Sequence, residues 1–244
     1  MNKTELQLGL DIEFMPRRLM ESNDPIMWRD YDQALRSLGT KQRPTSTSQG
    51  VYHNDACMVE IAPPAYTTAR ELFQATMALK ERVETLLGMG MLAGYEYITL
   101  PTDMEQYAPY VFEESRVLGC APDMSGGETR VLPEWVRQRS INEVGLHTHQ
   151  DVHPEMRGID PYIMYHVGRY QEVAASYHAP WNADERPWYR QPGTYRIKPY
   201  GVEYRSLGSS ICNNPDNFRD FLGMTFTFMH DMYDECEQIV QEAA

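Results

Sequence analysis

The chain has 244 residues, 42% hydrophobic and 23% charged, which is ordinary for a water-soluble globular protein and long enough to bury a sizeable core. A formal net charge of −13 with no basic run argues against a surface that holds nucleic acid directly, although an acidic site that gathers cations can still bind a phosphorylated ligand through them. There is no apolar run of about 18 residues and no signal-peptide core near the start, and Cys57, Cys120, Cys212 and Cys236 make no C-x-x-C pair, so a reduced, cytoplasmic protein that does not span a membrane is expected.

A first strand is expected at about residues 6–14, where Leu10, Ile12 and Phe14 alternate with Asp11 and Glu13. Asp24-Pro25 reads as an N-cap followed by proline at the first helical position, predicting a helix to Ser37, and residues 40–50 read as a polar, mobile loop. Met58–Ala62 is a short apolar strand carrying one acid, Glu60, a charge that is costly there unless paired or metal-bound. Thr68 and Glu71 make a capping box, and Leu72, Ala75, Leu79, Val83 and Leu86 recur at helical spacing, so a helix over 69–87 ends at Gly88. Residues 95–100 read as a further strand. Residues 119–130 read as a loop, in which Ser125-Gly126-Gly127 matches no phosphate-binding fingerprint.

The segment 141–152 carries His147, His149 and Asp151 on one face, with His153 joining them if the strand continues. Asp160-Pro161 starts a helix to about Tyr177, and residues 179–194 form a loop rich in Trp, Pro and Arg, including Trp181, Arg186, Trp188, Tyr189 and Arg190. The run 195–207 reads as one strand in which Val202, Tyr204 and Ser206 alternate with Glu203, Arg205 and Leu207. Asn214-Pro215 then opens a long helix whose Phe218, Phe221, Leu222, Thr225, Met229, Met232, Cys236 and Ile239 form a core seam. This order lacks regular βαβ alternation. It predicts a single α+β domain over residues 1–244, with a mostly antiparallel curved sheet, helices on its convex side and an open, polar concave face.

An isolated Glu203-x-Arg205 would be read as a solvated ion pair on a surface strand. Three other segments place charged or ligating groups on one strand face in the same way, and this lifts the reading to a shared site. Asp11, Glu13, Glu60 and Glu203 are hard oxygen ligands which, with a histidine, suit Mg²⁺ or Mn²⁺. Arg205, Arg196, Arg190 and Lys198 lie close by in sequence, and cations of this kind beside carboxylate-held metals are what a nucleoside triphosphate site requires. Arg190, Arg196 and Lys198 each have the bland alternative reading of a solvated side chain.

The set Gly9-x-Asp11-x-Glu13-Phe14, Glu60-Ile61-Ala62-Pro63, His147-x-His149 and Gly201-Val202-Glu203-Tyr204-Arg205 resembles, in order from residue 9 to about 207, the glutamine synthetase and glutamate–cysteine ligase superfamily, in particular its compact phage-type carboxylate–amine ligases. The resemblance implies a glutamine synthetase-like catalytic domain in a cytoplasm, that of the host if phage-encoded. It implies an ATP- and Mg²⁺-dependent enzyme that joins a small-molecule or peptide carboxylate to an amine through an acyl phosphate. By resemblance, Glu13 and Glu60 hold the substrate-side metal, Asp11, His147 and Glu203 hold the metal on the ATP phosphates, Arg205 stabilises the transferring phosphoryl group, and His149 contacts the nucleotide or supports the metal ligands. Two departures stand out: Asp11 occupies a position where the family usually has glutamate, and no third acid for the first metal is placed.

Two rival readings remain. His147-x-His149-x-Asp151-x-His153 is close to the H-x-H-x-D-H of metallo-β-lactamase-like zinc hydrolases, but Val152 separates Asp151 from His153 and the carboxylates of the other strands are left unexplained. The other is a ligase-like fold that serves as a non-catalytic binding protein.

Overall fold

Leu10, Ile12 and Phe14 do face one way, from strand β1 (Leu8–Pro16) at the centre of the sheet in the computed structural model of the protein. The structure describes residues 2–22, 24–55, 57–95, 97–99, 123–125, 128–130, 141–177 and 193–243. On one side β1 pairs with β5 (Met58–Ala62), which continues through β4 (Gly50–Asp55) and β3 (Arg43–Thr47) to β2 (Gly39–Thr40). On the other it pairs with β11 (Gly145–Asp151), followed by β13 (Gly201–Gly208), β12 (Tyr195–Lys198), β8 (Asp123–Ser125) and β9 (Glu128–Arg130). With β6 (Leu92–Ala93) at the end of β1, the described residues make an eleven-stranded open sheet, antiparallel apart from the contact of β2 with β4. A separate pair joins β7 (Tyr97–Thr99) to β10 (Ile141–Glu143).

One face is apolar because cross-strand partners match. Ile12 lies opposite both Ile61 and Leu146, Leu146 lies opposite Leu207, and Phe14 lies opposite Val59, all fully or almost fully buried. The helices α2 (Pro25–Ser37), α3 (Ala69–Leu87), α4 (Asp160–Ala175) and α5 (Pro215–Ala243) pack over this side, after a one-turn α1 (Arg17–Met20). Each begins or ends for a local reason. The Asp24 side chain accepts from the Ile26 N–H and Thr68 from the Glu71 N–H, Asn214 caps the first turn of α5, and Gly88 closes α3 at φ 64°. The α4 start differs from expectation: Ile159, with no capping side chain, takes the cap position ahead of Asp160. Burying a side chain the size of Phe221 or Leu222 stabilises by about 1.5–3 kcal/mol, and α5 buries its seam as far as Cys236, while Ile239 is 47% exposed and lies outside it.

The α+β class, the antiparallel sheet and its helical side match expectation, and four local readings are corrected. Residues 40–50 are not a plain loop, since β2 and β3 form there and Thr45, Ser46 and Thr47 pair with β4. β4 itself is a strand that the reading of 40–62 did not contain. Part of 119–130 is the hairpin β8–β9, while Gly126 and Gly127 lie outside the described residues. The run 195–207 is a hairpin turning at Pro199-Tyr200, because proline has no N–H to continue a ladder. Among the described residues no helix is long and apolar enough to cross a membrane, and Cys57, Cys212 and Cys236 are buried.

Candidate functional site

The register that lines up the hydrophobes also lines up the polar groups on the other face. One row runs His53, Glu60, Glu13 across β4, β5 and β1, and another runs Gly9, His149, Glu203, Arg196 across β1, β11, β13 and β12. Between them Asp11 faces His147. The register of β11 with β13 shifts between Leu146 and Thr148, so that Arg205 and Ser206 together span the position opposite His147. This bulge keeps Arg205 beside Glu203 and returns Leu207 to the apolar face opposite Leu146, where simple alternation had placed it on the polar one.

In the first half of the site, carboxylate oxygens of Glu13, Asp55 and Glu60 all lie within 4.8 Å of one another, and all three residues are buried. Glu13 also accepts the Gly145 N–H at 2.5 Å. Lys41, on the turn between β2 and β3, places Nζ 3.1 Å from Asp55 Oδ2 and 3.8 Å from Glu60 Oε2, and His53 Nε2 lies 3.3 Å from Glu60 Oε1. Burial lifts the Glu60 carboxyl above its usual range against the hydrogen bond from His53, and the nearby Asp11 charge lifts it further. Burial works against a charged His53, yet the hydrogen bond to Glu60, the Glu60 charge, the Asn54 carbonyl and the Asp55 charge together outweigh this and raise it. Burial and neighbouring negative charge both favour protons in this half of the site.

The second half is the reverse. Glu203 meets three cations: Lys198 Nζ at 2.6 Å, Arg196 Nη1 at 3.5 Å and the Arg205 guanidinium in direct contact. His147 Nδ1 lies 3.8 Å from the same carboxylate and 3.4 Å from Arg205 Nη1. Burial resists ionisation of Glu203, but Arg205, then His149 and Lys198, overcome it and hold the group at about 2. Three positive groups around one carboxylate leave a net positive concavity suited to an anion.

Asp11 and His149 join the halves. His149 Nε2 lies 2.8 Å from Asp11 Oδ2, and its Nδ1 lies 2.5 Å from the Tyr200 hydroxyl, on the turn of the β12–β13 hairpin. Burial opposes protonation of His149, and the Asp11 charge and hydrogen bond raise it regardless. The side chains of Asp11, His149 and Lys198 remain 28%, 19% and 31% exposed, whereas that of Glu203 is 2% exposed. Gly9 leaves room there: a Cβ on it would press on His149 Cβ at 3.3 Å.

Of the residues singled out from sequence, Glu13 and Glu60 come together, as do Glu203, Arg205, Arg196, Lys198 and His147. Asp11 is engaged by His149 at 2.8 Å, and the ligand atoms of Asp11, His147 and Glu203 do not all lie within 4.8 Å of one another. Arg190 and the tryptophan-rich loop lie outside the described residues. The residues 147, 149, 151 and 153 do not converge. Asp151 Oδ2 accepts the Gln7 N–H at 3.0 Å, and His153, past the strand end, points Nε2 to Glu237 of α5 at 3.0 Å. Sequence reading missed Asp55, Lys41, His53 and Tyr200. Asp55 was findable, because in Gly50–Asp55 His53 and Asp55 alternate with Tyr52 as the acids of β1 alternate with its hydrophobes.

Three buried carboxylates converging from neighbouring strands, all oxygen donors, fit a hard divalent cation by donor chemistry, and they are the group of at least three such ligands that meets among the described residues. No protein-family model matches the chain, and no curated protein matches it.

Proposed function

We propose that the protein is an ATP- and Mg²⁺-dependent ligase that joins a carboxylate to an amine. One observation carries the reading: a buried triad of acids, Glu13, Asp55 and Glu60, shares a sheet face with a cationic cradle, Arg196, Lys198 and Arg205, so that a cation site and a polyanion site lie side by side. Glu13, Asp55 and Glu60 would hold Mg²⁺ or Mn²⁺. That ion offsets phosphate charge when bound. Arg205, Arg196 and Lys198 hold the triphosphate oxygens and take up charge that builds as a carboxylate oxygen attacks the γ-phosphorus and the bond to ADP breaks. The amine then attacks the acyl carbon, phosphate leaves with the bonding pair, and the nitrogen gives up a proton. Asp11 and His149, partly accessible between the halves, attract the substrate ammonium by charge and order the approach. The carboxylate is a small molecule or a peptide terminus or side chain, and the acceptor is an amine.

The test is calorimetric titration of Mg-ATP into metal-stripped protein, beside Glu203→Gln and Glu60→Gln with folding verified by circular dichroism. Saturable binding that requires Mg²⁺ and weakens roughly 100-fold in Glu60→Gln is expected, with ADP release appearing only when a suitable acid and amine are both present. Binding that ignores Mg²⁺, or no binding at all, would sink the proposal. Zinc retained through dialysis would point instead to hydrolysis, although the histidines of that reading are dispersed.

A further inference from the structure

Lys41 takes no part in the ligase chemistry above, yet its ammonium enters the acid triad from outside the strands that build it. We infer that Lys41 is an internal competitor for the divalent cation, holding Asp55 and Glu60 when no metal is bound and thereby setting the affinity of the site; the inference rests on the reading of Glu13, Asp55 and Glu60 as the metal-holding group.

The argument is one of charge and reach. Three carboxylates whose oxygens lie within 4.8 Å repel one another strongly at low dielectric, so the folded apoprotein needs a counter-charge there. Lys41 supplies it at 3.1 Å from Asp55 and 3.8 Å from Glu60. A lysine ammonium, with an ordinary pKa of about 10.4, carries its charge throughout the neutral range. A divalent ion bonded to the same oxygens would stand within a few ångströms of the ammonium, and two cations cannot share those carboxylates without strong repulsion. Asp55 and Glu60 side chains are 7% and 8% exposed and fixed by strand pairing. The Lys41 side chain is 45% exposed and springs from a short turn at the sheet edge. The lysine is therefore the partner free to leave. Metal entry means withdrawal of Lys41 into solvent, and metal loss means its return.

The experiment is Mn²⁺ titration without nucleotide, followed by calorimetry and by electron paramagnetic resonance of free Mn²⁺, on wild type, Lys41→Met, Lys41→Gln and Lys41→Arg. Lys41→Met and Lys41→Gln should bind Mn²⁺ roughly tenfold more tightly, while Lys41→Arg, which keeps the charge, should stay within about threefold of wild type. Thermal melts of the same proteins verify that each is folded. Equal or weaker Mn²⁺ binding in both neutral variants overturns the competition while leaving the metal reading intact. No Mn²⁺ binding by any of the folded proteins overturns both.

Discussion

Glu203 and His166 determine much of how the protein answers to acid, for opposite electrostatic reasons. The ordinary pKa of Glu203 is 4.5 and its folded value about 2, so its ionisation stabilises the fold above about pH 4.5, and this contribution is lost as pH falls toward 2. His166, on α4, is fully buried. Its Nε2 lies 2.9 Å from Gln150 Oε1, while the Gln150 amide nitrogen donates to Thr148, so the imidazole donates from Nε2. Its Nδ1 has no hydrogen-bond partner among the described residues, and burial depresses the group from 6.5 to about 3. A depressed folded pKa stabilises above the unfolded value. The His166 contribution is therefore complete above about pH 6.5 and drains away between 6.5 and 3. His53, whose pKa is raised, behaves in reverse: its contribution is complete below the ordinary value of 6.5 and lost as pH climbs through the folded one. Urea unfolding from pH 7 to 4 should show stability falling more steeply in wild type than in His166→Gln. Parallel curves would refute the assignment.

At the scale of elements, the hairpin β12–β13 is the piece on which the cationic half depends. Gly201, at φ 158°, lets β13 lie against β11, and an added Cβ would collide with the Gln150 carbonyl oxygen and approach Val152 N to 2.9 Å. Gly201→Ala should cost about 3 kcal/mol in chemical unfolding and weaken Mg-ATP binding with it. Thr68→Ala, which removes only the cap of α3, should cost about 1 kcal/mol and leave nucleotide binding unchanged. These elements differ in how readable they were. The bounds of helix α3 were legible because period, cap and terminal glycine agree, although Leu86, expected in its apolar stripe, is 49% exposed and Leu87 is buried. Strand β1 was legible because its alternation is clean. β3 was hidden in a run of Thr, Ser, Gln and Gly whose composition is that of a turn, and β4 was passed over although His53 and Asp55 alternate with Tyr52 along it. With β4 went Asp55, so the third acid was lost through secondary structure and not through chemistry. Leu207 was misplaced because a bulge leaves no mark in a two-residue period.

For the whole molecule, a ligand that binds the folded state alone must raise its stability. Mg-ATP at about 100 times its dissociation constant should add about 2.7 kcal/mol, a rise of roughly 5–10 °C in melting temperature for a chain of this size. Mg²⁺ without nucleotide should give a smaller rise, larger in Lys41→Met, and a melting temperature indifferent to both ligands would contradict the proposed site. The central place of β1 has a consequence for how the chain comes to be folded. Its neighbour on one flank, β5, ends at residue 62, but its neighbour on the other, β11, begins at residue 145 and is itself completed by β13, ending at residue 208. On the ribosome the acid triad can assemble early, while the far edge of β1 stays unpaired until most of the chain has emerged. Pairings this distant close slowly, so synthesis rate and chaperone access during that interval, more than final stability, should govern the yield of native protein.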